Sequence, residues 1–211
     1  TCNTTFEIAT GSWTVTVNPD FAAGEIDTTG ETICYGGNPS LIGSTTSASG
    51  GDGSITYQWQ ANDTDIVGAN SATYDPASGL TETTTYTRYA KDGTCNTTFE
   101  LATESWTVTV NPNFVAGTIN TTGETICYGG DPNEIGSTTS ASGGDDSITY
   151  QWRANGVVIL SSDSATYDPE SGLTETTTYT RYAKDETCNT TFEIATGSWT
   201  VTVNPDFAAG E

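Results

Sequence analysis

The 25 residues from Thr1 to Glu25 return unchanged as Thr187 to Glu211, and a near copy begins at Thr94, so the chain has a period of 93 residues. The middle copy departs from the outer two at Leu101, Glu104, Asn113, Val115 and Thr118. Segments 186 residues apart thus agree better than segments 93 apart, as in an array that grew by duplicating two-domain units. A fixed period is read before any local motif, because each period is one structural unit and the array is the architecture. Near-identical copies also argue against a dedicated active site in any one of them.

Within a period the patterning is that of strands. Trp106-Thr-Val-Thr-Val110 alternates apolar and polar residues, as a half-buried strand does. Asn111-Pro112 follows it, and proline cannot donate to a ladder, so strand and domain end there. Ile55-Thr-Tyr-Gln-Trp-Gln60 is the clearest strand, with Ile55, Tyr57 and Trp59 on one face. Leu41 to Ala48 and Thr84 to Lys91 read as further strands, with Tyr86 pointing inward. Seven or eight short strands, separated by Gly, Pro, Asp and Asn turns and without helical periodicity, specify an all-β fold with one two-sheet sandwich per period. The expected boundaries are 1–18 for the last strand of a preceding domain, 19–111 and 112–204 for two whole repeats, and 205–211 for the start of another.

The chain carries 27 acidic and 5 basic residues and no histidine, and Thr94 to Glu186 alone has 13 acids and 3 bases, a net of −10. Such a surface repels nucleic acid and anionic membranes. No apolar run approaches the ~18 residues of a membrane-spanning helix, so no membrane insertion is expected in this segment.

The five cysteines are Cys2, Cys34, Cys95, Cys127 and Cys188, a pair per period plus one. Pairing within each repeat predicts Cys34–Cys95 and Cys127–Cys188, with Cys2 bonded to an upstream domain. Closing a loop of this size is worth up to ~4 kcal/mol in the chain-entropy account. The alternative, Cys2–Cys34 with Cys95–Cys127, would staple neighbouring domains and leave Cys188 over. Either arrangement requires an oxidising compartment, which places the chain outside the cell or at its surface.

The segments Glu31-Thr-Ile-Cys-Tyr-Gly-Gly-Asn-Pro39, Ser47-Ala-Ser-Gly-Gly-Asp-Gly-Ser-Ile-Thr-Tyr-Gln-Trp59, Thr84-Thr-Tyr-Thr-Arg-Tyr-Ala90 and Gly93-Thr-Cys95 occur in one order through each period. Together they resemble the immunoglobulin-like tandem repeats of large secreted Bacteroidetes cell-surface and gliding-associated adhesins. The resemblance implies a surface location and supplies no catalytic residues.

Candidate sites are few. Trp59 and Trp152 are either sugar-stacking platforms or core tryptophans packed near the disulfide, and the immunoglobulin pattern favours the core. Trp13, Trp106 and Trp199 also read as core. No cofactor is expected. Calcium is the candidate metal, at Asp52, Asp145 and Asp146 in the glycine-rich turn or at Asp63 with Asp65, against the favoured reading of solvated loop acids, since the last two become Gly156 and Val158 in the next copy. Asp27-Thr28-Thr29, Asp146-Ser147-Ile148 and Asp163-Ser164-Ala165 fit the O-glycosylation pattern of the resembled phylum, making Thr28, Ser147 and Ser164 the candidate acceptors. Lys91 and Lys184 are candidates for a self-generated amide crosslink, against a simple strand-end role. Without histidine, and with cysteines paired, the common catalytic triads and thiol nucleophiles are missing, so no enzyme is expected. The expected function is an extended spacer in an adhesin stalk or extracellular filament. Its partners would be neighbouring repeats, like chains in a filament, or a surface polysaccharide bound multivalently.

Overall fold

The computed structural model describes residues 10–207, which contain strands, turns and extended segments and no helix. The first repeat contributes β1 (Glu31–Ile33), β2 (Thr56–Ala61), β3 (Thr64–Asp65), β4 (Thr84–Lys91), β5 (Glu100–Leu101) and β6 (Trp106–Val110). The second contributes β7 (Thr118–Ile119), β8 (Glu124–Ile126), β9 (Ser137–Thr139), β10 (Thr149–Ala154), β11 (Val157–Val158), β12 (Thr177–Lys184), β13 (Glu193–Ile194) and β14 (Trp199–Val203). Each repeat builds one large sheet with the same order, β1-β6-β4-β2-β3 in the first and β8-β14-β12-β10-β11 in the second. β5 and β13 pair onto β4 and β12.

The opposing layer is thin. In the second repeat it is β7 paired with β9, extended by a bridge between Ile135 and Tyr167. In the first repeat it is present only as isolated bridges, Ala22 with Ser49, Glu25 with Thr46 and Ile42 with Tyr74. The continuous strand expected over Leu41 to Ala48 is therefore reduced to bridging residues.

By its contacts the chain divides into two compact units. Among the described residues, one comprises 10–30 with Leu41–Asp75 and Thr85–Thr107; the other comprises Glu31–Ser40, Pro76–Thr84 and 108–207. The core of the second unit gathers Trp152, Ile119, Ile135, Val201, Tyr179 and Ala183. Trp152 is fully buried, stacks on Tyr167 with 5.6 Å between ring centroids, and donates its indole N–H to the Ser164 carbonyl at 2.9 Å. Trp59 repeats this arrangement against Tyr74 and the Ser71 carbonyl. Both tryptophans are core, as the strand pattern implies, and Tyr86 is buried as expected.

Strict alternation along β12 turns Thr177, Tyr179, Arg181 and Ala183 inward, and β4 does the same with Thr84, Tyr86, Arg88 and Ala90. An arginine thus lies wholly within each sandwich. The Arg181 guanidinium donates to the Ser137 hydroxyl and to the carbonyls of Ala165, Ala116 and Thr139, and it lies 5.1 Å from the Tyr150 ring centre. Arg88 makes the equivalent bonds to Ser44, Ala72 and Ala23. Burial pulls both guanidiniums below their usual pKa, with Tyr57 and Tyr150 opposing that shift. The cation is satisfied by carbonyl dipoles of the thin layer, and this binds that layer to the large sheet where its own ladder is sparse.

Trp13 departs from expectation. It is 91% exposed, with Val15 and Val17 beside it, whereas its copies Trp106 and Trp199 are buried. Those copies lie on β6 and β14, which pair with β4 and β12, whereas among the described residues no strand pairs with the segment around Trp13. Lys91 and Lys184 sit over Phe99 and Phe192, with the ammonium groups 4.7 and 5.4 Å from the respective ring centres, as the strand-end role requires.

Glu104 holds a left-handed backbone, φ +75°, where the other copies carry Gly11 and Gly197. A side chain there costs about 1 kcal/mol, so Glu104→Gly is expected to raise the free energy of unfolding by that amount, read as a higher urea midpoint at unchanged slope. Arg181→Met, which keeps volume but abandons the carbonyls, is expected to lower stability by about 2–4 kcal/mol in the same measurement.

Candidate functional site

The two cysteines of one repeat lie at opposite poles of its sandwich because of strand direction. β8 runs parallel to β14, with Ile126 opposite Val203, so Cys127 emerges at the pole where β14 ends. β12 runs antiparallel to β14; Thr177 lies opposite Val201, and the strand then leads away to Lys184. Cys188 follows at the far pole. Eight residues of strand at ~3.3 Å each separate the poles by about 25 Å, while a disulfide needs its Cα atoms within about 7 Å.

The expected bonds Cys34–Cys95 and Cys127–Cys188 therefore do not form. The structure joins Cys34 to Cys188 instead, across 154 residues of sequence and with Cα atoms 5.3 Å apart. Cys95 and Cys127 are exposed free thiols, so the alternative Cys95–Cys127 bond is absent too. Its companion Cys2–Cys34 fails because Cys34 is already bonded; Cys2 itself lies outside the described residues. Both bonded cysteines belong to the second compact unit, which takes in Glu31–Ser40. In sequence terms, Cys34 is the first repeat's cysteine and Cys188 the second's.

Each half of the cystine is held by a dedicated loop. On the Cys188 side, the carboxylate oxygen Oδ1 of buried Asp185 accepts the backbone N–H groups of Thr187 at 2.9 Å, Cys188 at 2.6 Å and Asn189 at 3.0 Å. Gly144 packs against this carboxylate, and a Cβ there would come within 1.9 Å of Asp185 Oδ2. Neighbouring Asp145 accepts the Ser147 N–H at 2.9 Å, and the Thr187 hydroxyl followed by that N–H holds its pKa below the usual carboxylate range. On the Cys34 side, the Asn111 N–H bonds the Ile33 carbonyl at 2.9 Å, the Gly37 N–H bonds the Cys34 carbonyl at 2.8 Å, and Glu31 accepts the Ser40 N–H at 2.7 Å. The Asn111 side-chain amide reaches the Cys188 sulfur at 3.6 Å. The site is a covalent clamp whose sulfurs are presented by preformed loops.

The other candidates are dispersed. Thr28, Ser147 and Ser164 are exposed in separate loops. Asp52 and Asp145 cap their own turns, and Asp65 accepts from the Gln60 amide. Among the described residues no three acids, cysteines or histidines gather to hold a metal ion. With Trp59 and Trp152 buried, neither presents a face to a sugar ring. Sequence reasoning missed Arg88, Arg181, Asp92 and Asp185. Arg88 shares the alternating face of Tyr86, and each aspartate stands three residues before its cysteine, in Asp92-Gly-Thr-Cys95 and Asp185-Glu-Thr-Cys188. Those two patterns were the available signals.

Similarity to known proteins agrees with this architecture. A titin fragment of three immunoglobulin domains, an E-to-A variant, superposes with a TM-score of 0.50 at 13% identity, covering 90% of this chain and 66% of the fragment. The chain thus spans 66% of that relative's length. Fibronectin(III)-like modules of Clostridium thermocellum CbhA match at 17% identity and TM-score 0.33, covering 88% of this chain and 98% of theirs. Human mucin-like protocadherin matches at 10% identity and TM-score 0.41, covering 87% of this chain and 100% of its own. At 13% identity the likeness to the titin fragment is one of fold alone. No curated protein sequence matches the chain. Residues 22–112 and again 115–205 match one family, so the chain consists of two tandem all-β, immunoglobulin-like domains and belongs to the family described as Domain of unknown function (DUF8696).

Proposed function

We propose that this chain is a spacer segment of an extracellular stalk or filament, in which β-sandwich repeats are joined in tandem by the main chain and reinforced by a cystine between successive repeats. The observation that carries the reading is the Cys34–Cys188 bond, which crosses from one repeat to the next. A disulfide within each repeat would have stabilised isolated domains; one that crosses between repeats restrains the linkage. The near-identity of copies, the Asn-Pro seams and the formal charge of −22 support the same reading, because like-charged neighbours resist collapse. The cystine supports an oxidising, extracellular setting, and the order of the repeat segments resembles that of secreted Bacteroidetes adhesins. O-glycans on Thr28, Ser147 or Ser164 are compatible with the exposure of all three. No chemistry is required of the chain, and its partners are further repeats, with like chains or a surface polysaccharide next in line.

Small-angle scattering of the oxidised chain, beside a Cys188→Ser variant, tests this. The oxidised chain is expected to scatter as a rod, and the variant to show a broader distribution of interdomain distances. A flexible-chain profile for the oxidised protein, unchanged by the substitution, would overturn the spacer reading.

A further inference from the structure

The two free thiols are built into the same two loops that hold the cystine. Cys95 is the 93-residue counterpart of Cys188, and Cys127 that of Cys34. Around Cys95, Asp92 Oδ1 accepts the N–H groups of Thr94 at 2.8 Å and Cys95 at 2.6 Å, as Asp185 does around Cys188. The Asn18 amide lies 3.4 Å from the Cys95 sulfur, matching Asn111 and Cys188. Around Cys127, the Asn204 N–H bonds the Ile126 carbonyl at 2.9 Å, the Gly130 N–H bonds the Cys127 carbonyl at 2.9 Å, and Glu124 accepts the Asn133 N–H at 2.8 Å. These are the bonds that frame Cys34. Each loop therefore has one conformation whether its sulfur is bonded or free.

We infer that Cys127 and Cys95 are open half-sites, each of which forms a disulfide with the counterpart cysteine of a further copy of this repeat. Cys127 takes the copy's equivalent of Cys188, and Cys95 the copy's equivalent of Cys34. The chain would then be a segment of a continuous ladder, in which every repeat is bonded to both neighbours. Two observations select a further copy as the occupant. The cystine already present is this same pairing one period away. Trp13 and Val15 also stand exposed in the strand segment that leads to Asn18 at the Cys95 half-site, although their copies Trp106, Val108, Trp199 and Val201 are buried.

The bond forms by thiol–disulfide exchange with a low-molecular-weight disulfide such as oxidised glutathione. The Cys127 thiolate displaces one glutathione thiolate, and the partner thiolate then displaces the second from the mixed disulfide. Two cysteine thiols are oxidised, one glutathione disulfide is reduced to two thiols, and the protons pass to the released thiolates. Preformed loops favour this step, because no backbone has to be reordered to bring sulfur to sulfur.

The test begins with the 211-residue chain, in which Cys95 and Cys127 are expected to alkylate under native conditions while Cys34 and Cys188 are protected. The chain is then lengthened in register by appending residues 26–211 after Glu211, refolded with oxidised glutathione, and mapped by non-reducing peptide mass spectrometry. Cys127 is expected to lose its reactivity and to appear linked to the appended copy of Cys95, with Cys34–Cys188 intact. Cys127 found as a thiol, as a lasting glutathione adduct, or bonded within its own repeat would overturn the proposal. The inference rests on the spacer reading for the existence of further copies. Their failures are separable, since mapping reads connectivity and scattering reads shape.

Discussion

Strand direction governs this molecule more than any single bond. In each large sheet the short strand that precedes the first cysteine runs parallel to the last strand of the repeat, and the long strand that precedes the second runs antiparallel to it. One sulfur is carried to each end of the sandwich. From that point a repeat cannot close on itself through its cysteines, whatever the entropy of the loop favours. The gain from loop closure is real in the unfolded chain, but it operates only where the native fold brings the two Cβ atoms together.

With its cystine displaced to the ends, the interior needs another means of joining its layers. The immunoglobulin pattern places a disulfide across the sandwich beside the tryptophan. Here Arg88 and Arg181 occupy the corresponding role from the central strand, reaching through the core to carbonyls of the opposite layer. Such a cation is tolerable inside because every donor direction but Nε meets an oxygen, and because the nearby tyrosine ring faces it. The thin layer, rich in serine and threonine, supplies those oxygens in place of apolar bulk. Its poverty in regular ladder and the buried guanidinium are two sides of one solution.

Much of this was legible in the residues. The period, the alternating Trp-Thr-Val-Thr-Val strand, the inward Tyr86 and the buried Trp59 follow from spacing and from proline placement. The cystine is not legible there, because sequence spacing carries no information about which end of a sandwich a loop occupies. Cys34 follows its strand directly, whereas Cys95 lies beyond the end of an oppositely directed one; only the register between those strands turns that into a distance. Arg88 was in plain view on the face of Tyr86, but a charged residue is seldom assigned to a core without a visible partner, and its partners are backbone atoms that no side-chain pattern reveals. Trp13 was assigned to a core that the described residues do not include.

The placement of the cystine also bears on how the chain withstands cleavage. Its loops are glycine-rich and exposed, the kind of backbone that proteases cut first. Any single nick between Cys34 and Cys188 leaves the two fragments tethered through sulfur, so a cut that would sever an ordinary string of beads only opens a loop here.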